Sequence, residues 1–399
     1  MTIAMLEALT FGMGLLADAA DELGHELILL TRDRSVYRYE LPGEPRIRVI
    51  DVDTFDVDAV LAALKPVHDL AGVVVNTDTW TETGAQVCHR LGLPGRTTGF
   101  AGRIRDKATV RETLIKVGLS NSQCFRLTRE EVALGRDPRE IRYPCVLKDV
   151  RGTGSAGAFL VRSAEDLDRL RTRIAGGGPE RYVLESLHRG PLYSAETITY
   201  GGRTHLLGVT NRTVSDEPWV REEGISFPVR FDSPWERRVG EWISRVHAAV
   251  GVEDGLCHNE FIATSGGFEV VEINPRLAGA QVGRAITEAF GRNVYRTVLE
   301  FGIGRKPGWL AERRELRCGY AQSLRYAPAV GTIADITMDD LSTFPGDVQW
   351  WPTKYAGDRI DTTENQSASV GVLTARGETA DEALDRVLAA GRTVRTWMV

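Results

Sequence analysis

Residues 255–279 predict a β-hairpin with a polar cluster on one face. Two apolar strands flank a Ser-Gly-Gly turn, a composition typical of an antiparallel connection. On the second strand Glu272 and Asn274 are two residues apart and share a face, and folding at the turn brings Glu260 opposite them. Carboxylate and amide oxygens are the ligands that Mg²⁺ takes beside substrate phosphates. The sequence therefore predicts a metal site, because a solvated polar face fits poorly between such apolar neighbours.

Residues 143–161 predict a phosphate-binding loop between two strands. An apolar strand ends in Lys148, and the glycine-rich loop that follows includes Gly154 and Ser155. Glycines let backbone N–H groups converge on phosphate oxygens, the serine adds a hydroxyl donor, and the lysine supplies a point charge. The spacing differs from a P-loop, since neither Gly-Lys-Ser/Thr nor a helix follows the glycines. A flexible hairpin with an incidental lysine remains the alternative.

A third segment, residues 181–187, predicts a strand that ends in Glu185. Such a strand end can offer backbone groups and a carboxylate to an adenine amino group. Taken alone, the segment fits a solvated glutamate at a strand end better.

The first hundred residues predict a small parallel sheet covered by helices. Short, almost continuous apolar runs alternate with helical patterns, which is typical of a parallel sheet buried on both faces. The Gly12-Met-Gly14 turn matches part of a dinucleotide-binding fingerprint, but the third glycine and the closing acid are missing. Nicotinamide binding is therefore disfavoured.

The remaining chain alternates helices and strands without repeats. A helix is predicted over residues 104–118, beginning at Asp106 and ending at Gly118. Strands dominate from 123 to 212, apart from a helix after Ser163. Beyond them the pattern predicts a helix, a strand pair and two helices over 234–302, a strand-rich region over 315–375, and a last helix from Thr379.

Composition excludes several classes of protein. The 399 residues suit two or three units, and 42% are apolar, so sizeable cores can be buried. A net charge of −6 disfavours nucleic acid as a partner. The chain has no apolar run long enough to span a membrane, no basic leader, and five scattered cysteines without a CxxC pair. A cytoplasmic enzyme without zinc or disulfides is expected.

Four motifs, in order, resemble those of the ATP-grasp ligases over roughly residues 70–375. They are Arg105-Asp106-Lys107, the strand ending in Lys148 with its glycine loop, the strand ending in Glu185, and the acidic hairpin that continues through Asn274-Pro-Arg276-Leu-Ala-Gly279. Only six of the 49 basic residues are lysines, and two of them, Lys107 and Lys148, fall where such enzymes hold ATP phosphates. Arg276 with Gly279 looks most like the branch that joins amino acids into dipeptides, the L-amino acid ligases.

The resemblance implies an ATP-grasp fold of mixed α/β and α+β class. Its expected units are an N-terminal parallel-sheet domain (1–100), a lid subdomain with an entry helix (101–190), and a larger antiparallel-sheet subdomain with a C-terminal extension (191–399). The implied reaction activates a carboxylate as an acyl phosphate, transfers it to an amine and releases ADP and phosphate. The expected substrates are small amino acids or similar metabolites, as in peptide antibiotic assembly, and a homodimer is left open.

The resemblance also implies roles for individual residues. The expected ATP contacts are Lys107, Lys148, Gly154, Ser155, Glu185 and Leu187, the last two bordering the adenine. The expected ligands of Mg²⁺, or Mn²⁺, are Glu260, Glu272 and Asn274. Arg276 is expected to stabilise the transferring phosphoryl group and the oxyanion, with Gly279 beside it.

The sequence departs from the family pattern at two positions. Many relatives have a ribose-binding acid where Leu192 stands, and Glu196 is the candidate replacement. Dipeptide-forming relatives often have a histidine where Ile225 stands, and the neighbouring Glu223 and Ser226 are candidate substrate contacts. A biotin-carboxylase-like enzyme, a purine-biosynthesis-type ligase and a non-catalytic ATP-binding protein remain alternatives.

Overall fold

The N-terminal unit is a four-stranded parallel sheet with helices on both faces. The computed structural model describes residues 1–136, 138, 140–154, 157–215 and 221–399. The elements of this unit are β1 (Thr2–Leu6), α1 (Met13–Leu23), β2 (Glu26–Thr31), β3 (Ile47–Asp51), α2 (Val57–Leu64), β4 (Leu70–Val74) and α3 (Thr81–Leu91). The strand order is β3-β2-β1-β4, and every pair is parallel. Alternate residues of β1 enter two separate cores, one shared with α1 and one with α2 and α3, which confirms the predicted sheet.

The glycine turn after β1 does not form a nucleotide site. Gly12 has a φ of +102°, and its N–H and that of Met13 donate to Glu40 Oε2 over 2.8 and 2.6 Å. The N-terminus of α1, where a dinucleotide fold would bind pyrophosphate, is therefore capped by a carboxylate of the same unit.

The second unit is an antiparallel lid sheet. Its elements are α4 (Thr98–Arg105), α5 (Lys107–Lys116), β5 (Cys124–Thr128), α6 (Arg129–Ala133), β6 (Cys145–Asp149), β7 (Ala158–Val161), α7 (Ala164–Ala175) and β8 (Arg181–Ser186), with strand order β5-β8-β6-β7. The single helix predicted over 104–118 is divided at Asp106, whose side chain accepts from Thr109 N–H and begins α5. Ser163 caps α7 as predicted.

The third unit contains an eight-stranded antiparallel sheet. Its elements are β9 (Leu192–Tyr200), β10 (Arg203–Val214), β11 (Glu222–Phe227), α8 (Pro234–Val250), β12 (Gly255–Thr264), β13 (Gly267–Asn274), α9 (Val282–Phe290), α10 (Tyr295–Gly302), β14 (Gly319–Tyr326), β15 (Gly331–Thr337), β16 (Gln349–Pro352), β17 (Arg359–Ile360), β18 (Ser369–Gly377), α11 (Ala380–Gly391) and β19 (Arg395–Met398). The order is β13-β12-β9-β10-β11-β14-β18-β16, beside a small sheet β17-β15-β19. Within the described ranges no helix is both long and apolar enough to cross a membrane.

The two faces of the eight-stranded sheet have different partners. One face packs against α8. The opposite face, which carries Ile198 and Leu256, shares a core with β1 of the N-terminal unit. Side chains alternate along a strand, and Glu196 is two residues from Ile198 while His258 is two residues from Leu256. Glu196 and His258 therefore lie on that same face. The polar residues of this face therefore lie towards the junction of the three units.

Candidate active site

The acidic hairpin (β12 and β13) forms as the sequence predicts. Glu260 is directly opposite Glu272, and His258 is opposite Asn274. Directly opposed carboxylates repel each other unless a cation lies nearby. Glu272 Oε1 lies 2.8 Å from Lys107 Nζ, and Glu260 Oε1 lies 3.2 Å from Arg212 Nη1. Burial alone would raise the pKa of Glu260, but the guanidinium beside it holds that pKa far below its usual range.

The predicted metal ligands are two carboxylates and one amide oxygen. Among the described residues, no group of three or more His, Cys, Asp or Glu side chains is arranged to hold a metal ion. The hairpin set suits a hard cation that takes its other ligands from phosphates, which is the usual situation of Mg²⁺ in nucleotide sites.

A cleft lies between the lid and the acidic hairpin. Its walls include Lys107, Gly152, Glu185, Glu272 and Asn274. Lys107 Nζ also donates to the carbonyl of Gly152 over 2.5 Å, so one lysine contacts both the glycine loop and the hairpin. Cationic donors and carboxylates thus line one interdomain cleft, as nucleotide phosphates with a metal require.

The glycine loop is described only in part. Gly154 has a φ of +60°, a conformation that favours glycine, and an added Cβ would meet no atom within 4 Å. Ser155 lies outside the described residues, so its phosphate contact stays a prediction.

Glu185 is the centre of a buried ion-pair network. Its carboxylate lies 2.5 Å from Lys148 Nζ and 3.0 Å from Arg111 Nε. Burial raises the pKa of Glu185, but the two cations outweigh it and lower that pKa to about 2. The carboxylate therefore fixes the position of Lys148. The Leu187 N–H donates to the carbonyl of Pro144, and the adenine contacts of this strand end stay a prediction.

Arg276 is held by the N-terminal unit. Its Nε and Nη2 lie 2.7 and 2.5 Å from Asp78 Oδ2, and its Nη1 donates to the carbonyl of Leu277 over 3.0 Å. Asn76 Oδ1 accepts from the Leu277 N–H over 3.1 Å. Burial lowers the pKa of Arg276, but the carboxylate of Asp78 outweighs it and raises that pKa above its usual range. Asp78 was not predicted from the sequence, although it follows β4 at the edge where parallel strands present functional residues.

Gly279 lies in the loop between β13 and α9. An added Cβ would meet no atom within 4 Å, so packing does not require glycine there. The same loop contains Ala280, with a φ of +51°, and is tied to β14 by a hydrogen bond from the Gln281 N–H to Gln322 Oε1. A catalytic role of Gly279 stays a prediction.

The carboxylate of Glu196 is buried and already engaged in hydrogen bonds within the sheet. It is 2% exposed, and its carboxylate accepts from the hydroxyls of Ser194 and Thr210 and faces His258 Nδ1 at 2.9 Å. These contacts do not test the expectation that Glu196 replaces the acid missing at Leu192, which stays a prediction. Its oxygens are already satisfied within the sheet, and the carboxylate orients His258.

A polar chain across four strands was not predicted from the sequence. His258 Nδ1 faces Glu196, and its Nε2 lies 2.5 Å from Arg212 Nη1, which donates to it. Arg212 is also paired with Glu222 and with Glu260. These residues meet because their strands are neighbours in the sheet. The strand order could not be predicted from the sequence, and without it this set of polar contacts could not be identified.

The strand register places the two predicted substrate contacts on β11, Glu223 and Ser226, in different surroundings, and their roles stay predictions. A register irregularity leaves Glu223 out of the β10–β11 ladder, and its side chain is exposed. Ser226 is opposite Ala321, which belongs to the core under α11, so its hydroxyl faces away from the cleft. Ile225, by contrast, is directly opposite Arg212.

Three family models match parts of this chain. Residues 17–95 match the ATP-grasp N-terminal domain, residues 141–284 the ATP-grasp domain, and residues 324–397 the L-amino acid ligase C-terminal domain 2. Together with the fold, these matches show that the chain contains domains of the ATP-grasp type followed by a domain similar to that of the L-amino acid ligases.

Individual relatives agree with this class. The uncharacterized protein y4rH of Sinorhizobium fredii is 29% identical over 330 residues, covering 80% of this chain and 66% of that protein. Human carnosine synthase 1 is 22% identical over 244 residues, covering 56% of this chain and 29% of that protein. This chain thus spans just under two thirds of the first relative and less than a third of the second. The crystal structure of the L-amino acid ligase from Bacillus licheniformis has the same fold, with a TM-score of 0.85 at 17% identity over 100% of this chain and 98% of that one.

Proposed function

We propose that this chain activates a carboxylate as an acyl phosphate and transfers it to an amine, with release of ADP and phosphate. The proposal rests on one observation: the cleft brings Lys107 of the lid against Glu272 of the acidic hairpin and is lined by Asp78, the ion-pair partner of Arg276. A carboxylate is a poor electrophile because hydroxide leaves badly. Phosphorylation replaces that leaving group with phosphate.

The lid cations serve the phosphoryl transfer. Lys107 and Lys148 supply positive charge to the phosphates of ATP, because catalysis of this transfer consists almost entirely of positioning and electrostatic stabilisation. Glu260, Glu272 and Asn274 would hold Mg²⁺, which neutralises phosphate charge when bound. The reaction requires a cleft from which water is excluded, because water would hydrolyse an acyl phosphate.

Arg276 serves the second half of the reaction. When an amine attacks the acyl phosphate, negative charge develops on the former carbonyl oxygen. A preorganised donor at that position typically contributes a factor of about 10²–10³ in rate. Arg276 is a cationic donor that Asp78, a residue of the cleft wall, already holds in place.

We propose amino acids or amino-acid-like metabolites as substrates. The family of the C-terminal domain and the similarity to carnosine synthase support this class. The paired Arg212 and Glu222 also support it, because one side chain can bind an α-carboxylate and the other an α-ammonium group. A role in assembling a peptide or pseudopeptide metabolite follows.

The test is a substrate panel with full product analysis. Single amino acids, amino-acid pairs, a ribosyl amine, and bicarbonate with biotin are each offered with ATP and Mg²⁺, and ADP, AMP, phosphate and product mass are measured. ADP and phosphate in equal amounts with a dipeptide support the proposal. Release only with bicarbonate or only with the ribosyl amine refutes the peptide substrate, and AMP in proportion to product refutes the acyl-phosphate route.

A further inference from the structure

We infer that Asp78 is a positioning residue for Arg276, so that the N-terminal unit completes the active site. The inference rests on the proposed ligase function for its catalytic consequence. Asp78 follows β4, whereas Arg276 follows β13, and the two side chains meet across the boundary between the units. Both are mostly buried, with side-chain exposures of 9% and 15%.

The contact fixes the plane of the guanidinium. Nε and Nη2 both reach Asp78 Oδ2, at 2.7 and 2.5 Å, and Nη1 donates to the carbonyl of Leu277 at 3.0 Å. A guanidinium has five N–H donors in a rigid fork. With three donors engaged in this way, two remain for an oxygen of the substrate, and their direction is determined by the plane that Asp78 sets.

The side chain of Asp78 has no second hydrogen-bonding partner, among the described residues, that would explain its position. Its other oxygen, Oδ1, is buried and has no hydrogen bond within that part of the chain. A carboxylate that only joined two units would be expected to use both oxygens. Here a single oxygen carries the contact with Arg276, so the orientation of each side chain depends mainly on the other.

Docking of the N-terminal unit has separate contacts. Asn76 Oδ1 accepts from the Leu277 N–H over 3.1 Å, and Arg105 Nη1 donates to the carbonyl of Thr79 over 3.2 Å. Glu82 of α3 also lies 2.6 Å from Arg151 Nη1 of the lid. These bonds join the same loop and helix to the other units without touching the guanidinium of Arg276. Loss of Asp78 therefore leaves the docking in place.

The consequence falls on the rate rather than on ATP binding. Without Asp78 the guanidinium keeps its charge but loses its fixed plane. Misplacement of a catalytic group by about 1 Å can cost a factor of about 100 in rate. We expect Asp78→Asn to lower kcat about 10- to 100-fold with the KM for ATP changed less than about 3-fold.

The experiment compares Asp78→Asn with Glu82→Gln, which removes a charge from an ion pair across the same unit boundary. Steady-state kcat and KM are measured with thermal unfolding, and Asp78→Asn is repeated in an Arg276→Ala background, where we expect no further loss. Two outcomes would show that the contact is only structural and would refute the inference. In the first, Glu82→Gln lowers kcat as much as Asp78→Asn does. In the second, the losses of kcat in Asp78→Asn and Arg276→Ala add up in the double variant.

A second readout does not depend on ligation. The Arg276 Nε–H resonance, assigned by its loss in Arg276→Lys, is followed by NMR relaxation in the wild type and in Asp78→Asn. We expect an ordered side chain in the wild type and a mobile one in the variant. Equal order in both refutes the positioning role. If the order is lost but the wild type ligates no substrate pair, the positioning role stands and the proposed function fails.

Discussion

Glu260 and Glu272 lie directly opposite each other on β12 and β13, and each carboxylate is paired with a cation from a different part of the chain. Arg212 of the same sheet is paired with Glu260, while Lys107 at the start of the lid helix α5 is paired with Glu272. The lid is thus linked to the hairpin through the same carboxylate that is proposed to bind metal.

The first prediction tests the proposed metal ligand. Glu272→Ala should abolish Mg²⁺-dependent turnover, because an octahedral ion loses one of its few protein ligands. The fold should persist, since Glu272 is not part of an apolar core. ADP release and thermal unfolding are measured beside Glu253→Ala, an exposed acid just before β12. Near-normal ADP release by Glu272→Ala would remove this residue from the site.

The second prediction tests the phosphate contact of the lid. Lys148→Ala should weaken ATP binding about 10-fold or more, since a charge-assisted hydrogen bond is typically worth about 1.5–3 kcal/mol. Lys65→Ala and Lys306→Ala remove exposed lysines and should not change it. The dissociation constant for ATP is measured by calorimetry for all three variants. An equal effect in all three variants would show that the scarcity of lysine in this sequence does not help to identify the phosphate contacts.

Local patterns in the sequence predict much of the fold and of the hairpin. The apolar strand–helix alternation identifies the parallel sheet, and the two-residue period with the Ser-Gly-Gly turn places Glu260 opposite Glu272. Both features depend on residues close in sequence, where period and turn chemistry determine the geometry.

Contacts between distant segments are not predictable in the same way. Asp78 and Arg276 are 198 positions apart, and nothing local indicates that they meet. The face of Ser226 and the bulge at Glu223 depend on how β11 pairs with its neighbours, and a shift of one residue exchanges the two faces of a strand. Register and strand order therefore account for what the sequence missed.

The third prediction concerns stability at low pH. The pKa of Glu185 is lowered to about 2 in the folded protein, because Lys148 and Arg111 outweigh the effect of burial. A lowered carboxyl pKa contributes stability above the unfolded value near 4.5, and that contribution is lost as the pH falls from there towards 2. The shift corresponds to about 3 kcal/mol at neutral pH.

Urea unfolding between pH 7 and pH 3 provides the measurement. Glu185→Gln should be strongly destabilised at pH 7, by about 3–5 kcal/mol, because it leaves the buried Lys148 without its carboxylate and removes one of the two carboxylates beside Arg111. Its difference from the wild type should shrink as the pH falls below about 4.5. Glu180→Gln, an exposed position just before β8, should track the wild type throughout. A difference for Glu185→Gln that stays constant with pH would contradict the low pKa.

The fourth prediction separates two adjacent acids. Glu222 is paired with Arg212, whereas Glu223 is exposed and outside the strand ladder. If Glu222 accepts the α-ammonium group of an amino-acid substrate, Glu222→Gln should raise the KM for that substrate about 10-fold or more, the effect of losing about 1.5–3 kcal/mol of charge-assisted hydrogen bonding. The KM for ATP should change little, because the lid cations remain in place.

Glu223→Gln is the matched control, since it makes the same chemical change one residue away. Thermal unfolding of both variants shows whether the loss of a partner for the buried Arg212 changes the fold. The two KM values are measured with the best pair from the substrate panel, and with a donor that lacks its amino group. The ammonium contact predicts that Glu222→Gln impairs only the substrate that carries the amino group. Equal KM changes in Glu222→Gln and Glu223→Gln, or equal changes for both donors, would contradict the ammonium contact. Glu222 would then serve only to hold Arg212, and another residue would bind the ammonium group.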